Sequence, residues 1–148
     1  MKFLFSTTAP GWAQDLGLFV LRAGAGGMML FGHGLSKLEN WETLKTQFTD
    51  LFGFGMTFDL SLTIFSEVFC AAAVILGLAT RFTVLPLIVS MAVAILVVHK
   101  DDPMFMGGEG GSKEPAILYL LPYLMILLAG PGRISLDAQI NGSASNKD

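Results

Sequence analysis

The chain has 148 residues, 53% of them hydrophobic and only 14% charged, with a formal net charge of -3. Soluble domains carry about 25% charged residues, and a mean hydropathy of +0.63 is more apolar surface than a soluble fold of this size can bury. Collagen-like, disordered and disulfide-stapled classes are excluded, as is a nucleic-acid binder with a basic surface, so the composition reads as an all-α, multi-span membrane protein.

In chain order, the first apolar patch, Phe3 to Phe5, is too short for the apolar core of a signal peptide, and Pro10-Gly11 follows it. The first span is therefore expected to remain in the protein. It covers residues 16–35, with Arg22 its only full charge. Within residues 36–59, Leu38, Trp41, Leu44, Phe48, Leu51 and Phe52 recur at three- and four-residue spacing opposite a polar face. That pattern predicts an amphipathic helix lying flat in the membrane interface between the first and second spans.

The second span, residues 60–78, is interrupted only by Glu67 and preceded by the capping types Asp59 and Ser61. Ala79-Thr80-Arg81 is too short to do anything but turn the chain into an antiparallel hairpin. The third span, residues 82–98, has no charge, and the loop after it is acidic and rich in glycine. A short fourth span, residues 115–129, opens at Ser112 and Glu114-Pro115 and closes at Gly130-Pro131-Gly132. Residues 1–140 thus form one four-transmembrane-helix bundle, and the polar tail 141–148 is expected to be disordered. A β-barrel would need alternating strands of about ten residues, which these continuous runs are not.

Basic residues near the span ends tie. Lys2, Arg81, Arg133 and Lys147 fall on one side, and Lys37, Lys45, Lys100 and Lys113 on the other. Arg22 tips the balance toward both termini lying in the cytoplasm, in the inner membrane. Cys70, the single cysteine, forbids an intrachain disulfide and reads as a small buried hydrophobe.

Ionisable groups inside spans mark candidate sites because inserting them costs at least about 2.5 kcal/mol unless they are relieved. Glu67 and His33 are the candidate catalytic residues, with Arg22, Lys37 and Arg81 as a ligand-binding or bundle polar network. Arg22 and His33 lie eleven residues apart, nearly on one helical face, and Lys37 continues it. Glu67 heads a second stripe that ends at Arg81. Both stripes are expected to face the bundle interior, with Glu67 bonded to Lys37, His33 or Arg22 in that order of depth. A structural ion pair and a ligand or proton site both satisfy this pattern. The small residues 23–27 predict close helix approach. A bis-histidine haem on His33 and His99 is disfavoured because neither position is deep. His99, Asp101, Asp102 and Glu109 lack the tight spacing of a metal site, so no metal is assigned.

Leu21-Arg22-Ala23-Gly24, then Met29-Leu30-Phe31-Gly32-His33-Gly34 with Lys37-Leu38, resemble the opening of the DoxX family. Glu67 followed by Ile75-Leu76-Gly77-Leu78-Ala79-Thr80-Arg81 resembles its second half-motif, and the similarity runs over about residues 16–137. The resemblance implies a small four-helix integral membrane protein, similar to the membrane subunit of thiosulfate:quinone oxidoreductase. It implies a quinone ligand and carries Arg22, His33, Lys37, Glu67 and Arg81 over as the family's polar set. The chain has no haem, flavin or iron–sulfur motif, so redox chemistry requires a partner subunit, whether or not the chain also forms a homo-oligomer. Two other readings compete: a non-catalytic membrane anchor or assembly partner, and a small-solute transporter. The transporter is disfavoured by the lack of an internal repeat or a broken midplane helix.

Overall fold

Backbone groups in lipid have no water to bond to and must bond to one another, so apolar runs become helices. The computed structural model describes residues 10–107 and 111–145. Its principal helices are α1 (Gly11–Glu39), α3 (Met56–Leu76), α4 (Thr80–Val98) and α5 (Glu114–Ala129). A single turn, α2 (Trp41–Leu44), follows α1, and α6 (Leu136–Ser145) is the last helix among the described residues. Helices α1, α3 and α4 are long and apolar enough to cross a membrane, whereas α5 is an apolar helix of 16 residues.

The helices pack in a ring: α1 on α3, α3 on α4, α4 on α5 and α5 back on α1. Met29, Val74, Val84, Leu87, Tyr123 and Ile126 fill the centre, and Cys70 is buried among them as expected. Outside, Phe82 is 80% exposed, Leu128 74% and Phe31 70%. An exterior of bare aromatic and aliphatic side chains suits lipid and not water. Of the small residues 23–27, Gly26 makes a close approach: a Cβ there would lie 2.7 Å from Ile75 Cγ1 of α3.

Several expected boundaries move. Helix α3 starts at Met56, so Asp59 and Ser61 fall inside it and do not precede it. The turn between α3 and α4 is at Gly77, Leu78 and Ala79, two residues earlier than expected. Residues 36–59 are not one helix. Asn40 stops α1 by bonding the Ser36 carbonyl through Nδ2 at 2.8 Å, and no helix is present from Phe48 to Gly55. Carboxylates supply the reason, because they take over amides that a helix would have bonded internally. Asp50 Oδ1 accepts from Gly53 N and Gly55 N, and Asp59 Oδ2 accepts from Leu51 N and Phe52 N. Residues 141–145, expected in a disordered tail, belong to α6. Residues 146–148, Lys2, the Phe3 to Phe5 patch and Glu109 lie outside the described residues.

The hairpin end of the bundle is held by Arg22 and Asp137. Arg22 is fully buried and aims at the carboxyl end of α3, donating from Nη1 to the carbonyls of Val74 and Ile75 at 3.0 Å each. Its Nη2 donates to the carbonyl of Ile134. The expected reach toward Glu67 does not occur, because carbonyls in the last turn of a helix offer partial negative charge without a second ion. Asp137 accepts from Ala79 N at 2.7 Å and from Thr80 N and Oγ1 at 2.9 and 2.8 Å. It therefore caps α4 from 57 residues away, while its own N–H donates to Gly77 O at 2.9 Å.

Desolvation raises the Asp137 pKa, but the Thr80 and Ala79 hydrogen bonds and the charge of Arg22 outweigh it and hold the carboxyl below its ordinary value. Asp137→Ala should lower stability by about 1 kcal/mol, the usual worth of a helix cap, measured by thermal unfolding in detergent at neutral pH. A carboxyl whose folded pKa is depressed contributes stability above its unfolded pKa and loses it as the pH falls through the folded value. The gap between variant and wild type should therefore close as the pH drops below about 4.

Candidate ligand-binding site

At the end opposite the hairpin, three helices depart from regular α geometry, α1 and α3 where they touch and α4 farther toward the loop that follows it. Leu35 N donates to Leu30 O in α1, Ala71 N to Ser66 O in α3, and His99 N to Ala94 O in α4, each five residues back. Such wide turns insert a residue, rotate the face beyond them by about 100°, and recur at functional sites. The rotation explains which residues meet. The buried face of α1 runs through Arg22, Ala25, Gly26 and Met29, then skips to Gly34. His33, which unbroken spacing would turn inward, is exposed and sits edge-on to Tyr119, with ring centroids 5.4 Å apart.

Lys37, one turn beyond Gly34, reaches Glu67 in the wide turn of α3, with Nζ to Oε2 at 2.5 Å. This is the first of the partners expected for Glu67. Its side chain is 6% exposed and that of Lys37 is 24%. Gly34 permits the approach: a Cβ there would lie 2.6 Å from the backbone oxygen of Glu67. Arg81 stands apart, exposed at the hairpin end beside Gly130, with Nη2 3.4 Å from the carbonyl of Leu128. The polar set thus divides between the two ends. Lys37, Glu67 and His33 lie together, whereas Arg22 and Arg81 lie at the hairpin end and do not join them.

Two cavities flank the ion pair. The larger, of about 440 Å³, lies between α3 and α4 beneath residues 48–52. The smaller, of about 160 Å³, is lined by His33 and Tyr119. Lys37, Glu67, Met91, Ala94 and His99 line both, so the ion pair stands at their junction. Phe48, Leu51, Phe52, Phe65 and Val89 make much of the larger wall apolar. Ser90 Oγ donates to Ser66 Oγ at 3.0 Å within it. His99 Nδ1 lies 2.7 Å from Asp102 Oδ2 on the loop above.

Asp59, Ser66, Ser90 and Tyr119 were not foreseen as part of this site. Two of them carry a signal, since Asp59 and Ser66 recur with Thr63 and Glu67 at helical spacing along the second apolar run, whereas Ser90 stands alone in the third. Tyr119 carried none, because an aromatic in an apolar helix reads as packing. Chemically, the arrangement offers an apolar slot for a flat ligand, hydroxyl and ammonium donors, and carboxylate acceptors.

Comparison with known proteins follows the same lines. The model of the DoxX family matches residues 17–100. An uncharacterized membrane protein of Mycobacterium tuberculosis is 30% identical over 128 residues, covering 80% of this chain and 78% of that protein. No solved structure matches.

Removing one member of a fully desolvated pair costs about 3–5 kcal/mol. Because Lys37 keeps a quarter of its side chain accessible, Glu67→Gln should cost less, about 2 kcal/mol in detergent unfolding. The double variant Lys37→Met with Glu67→Met should regain most of that loss, since it strands no charge. A double variant no more stable than Glu67→Gln would show that the pair is not the source of the effect.

Proposed function

The chain belongs to the DoxX family, and on that premise we propose that it crosses the membrane four times as the quinone-interacting subunit of an oxidoreductase complex. The observation that supports this reading is the Lys37–Glu67 pair at the junction of two largely apolar cavities. A quinone head is a flat ring carrying hydrogen-bond acceptors on a long apolar tail. Lys37 Nζ and the Ser66 hydroxyl, whose oxygen already accepts from Ser90, are donors of the right kind for such oxygens, and the Phe48, Phe52 and Phe65 walls exclude water around the ring.

When bound, the quinone supplies a two-electron, two-proton acceptor, and the electrons come from a partner subunit that carries the donor centre. The chain's own residues then bind, orient and move protons. His99 lines both cavities and is bonded to the surface residue Asp102, so it offers a route for protons between site and water. In this reading the bundle sits in the inner membrane with both termini in the cytoplasm.

The test uses the double variant, which separates binding from stability. Protein purified in mild detergent should release near-stoichiometric quinone on solvent extraction. Lys37→Met with Glu67→Met should remain folded yet retain at least about tenfold less, the worth of lost hydrogen bonds in a desolvated pocket. Wild-type protein free of quinone and unable to take up added quinone would leave the pair as bundle glue and the chain as a membrane anchor.

A further inference from the structure

The ion pair accounts for one of the two carboxylates facing the larger cavity. The other, Asp59, is 2% exposed and lines the same cavity. Its Oδ2 is committed to Leu51 N at 2.5 Å and Phe52 N at 3.3 Å. Its Oδ1 is buried and has no hydrogen-bond partner among the described residues. No basic side chain among those residues pairs with it either. Buried polar atoms are mostly satisfied in folded proteins, the other orphans among the described residues being Arg22 Nε and Ser112 Oγ. Of the three, only Asp59 Oδ1 belongs to a residue lining the larger cavity, where a turn of its carboxyl presents Oδ1 to a donor in that space.

A quinone cannot supply that donor, because both of its ring oxygens only accept. The reduced ring, a quinol, carries two hydroxyls and can. Asp59 and Ser66 lie on one face of α3, seven residues or about 10 Å of helix rise apart. That span leaves room for a six-membered ring hydrogen-bonded at each end. Resting on the quinone-site reading above, we infer that Asp59 makes this site selective for the hydroxyl-bearing, reduced ring: one quinol hydroxyl donates to Asp59 Oδ1 while the other meets the Ser66–Ser90 hydroxyls. The quinone, placed the same way, brings a carbonyl oxygen against a carboxylate oxygen and is repelled.

The selectivity has a second consequence by linkage. A site that holds quinol more tightly than quinone makes the bound ring easier to reduce, by about 30 mV for each tenfold of preference in a two-electron couple. Asp59 therefore draws electrons toward this site without touching the donor.

The full-length protein in detergent is titrated calorimetrically with a decyl-tailed benzoquinone and, under argon, with its quinol. Wild type should bind the quinol at least about tenfold more tightly. Asp59→Asn keeps an oxygen for Leu51 N and Phe52 N but can present N–H donors to the cavity, so the preference should vanish or reverse. The midpoint potential of the bound couple, measured on wild type alone, should lie at least about 30 mV above that of the free couple, a result that needs no variant to fold. Equal affinities for the two forms, or a preference that survives in Asp59→Asn, overturn the selectivity and leave the quinone site standing. Failure of both forms to bind removes the quinone site itself.

Discussion

A guanidinium in a protein stays charged, so the fully buried Arg22 must find acceptors inside the bundle. It finds them in main chain: the last carbonyls of α3 and the carbonyl of Ile134. Three parts of the chain that are distant in sequence are tied to one side chain. That tie holds the segment after α5 against the α3–α4 turn, which in turn brings Asp137 to the first amides of α4. Ala79, at a φ of 46°, adopts a backbone conformation that alanine rarely takes. The Asp137 bonds to Ala79 and Thr80 help hold it there.

The opposite end satisfies charge differently, and the difference separates structure from chemistry. At the hairpin end, both Nη atoms of Arg22 are engaged by main-chain carbonyls, and its buried Nε has no partner among the described residues. Lys37 and Glu67 are mobile-stemmed side chains with further hydrogen-bonding capacity, and they sit against open volume instead of packed core. The pair joins α1 and α3 where they touch most closely, which suits fastening, but its other side faces the open volume next to α4.

Much of the fold is legible in hydropathy, because lipid leaves a long apolar run little choice but to be helical. The positions of α1, α3, α4 and α5 follow from the runs alone, and Gly130 closes α5 as its left-handed φ of 82° allows. Residues 36–59 mislead because periodicity registers side chains and not the amides that Asp50 and Asp59 take over. The cap from Asp137 is unreadable for another reason: nothing local marks a partner 57 residues distant. In the site, Glu67 and Lys37 were accessible as charges in an apolar context. His33 and Arg81 were assigned to inward faces on the assumption of unbroken 3.6-residue periodicity. One wide turn is enough to defeat that assumption for His33.

The wide turns also account for the cavities. An i→i+5 turn expands the helix and spoils the ridge-and-groove fit that lets neighbours close. With such turns facing each other in α1 and α3, and another near the end of α4, those helices cannot all pack tightly at this end. Gly34 decides which pair does: lacking a side chain, it lets α1 rest on the backbone of Glu67. Closing α1 onto α3 brings Lys37 into reach and leaves the mismatch to be taken up on the α4 side. There the larger cavity opens beneath Leu51 and Phe52, whose amides Asp59 holds in place as its roof. The irregular backbone, the ion pair and the empty volume are thus consequences of one another, and a ligand of the cavity's shape recovers the packing that the wide turns give up.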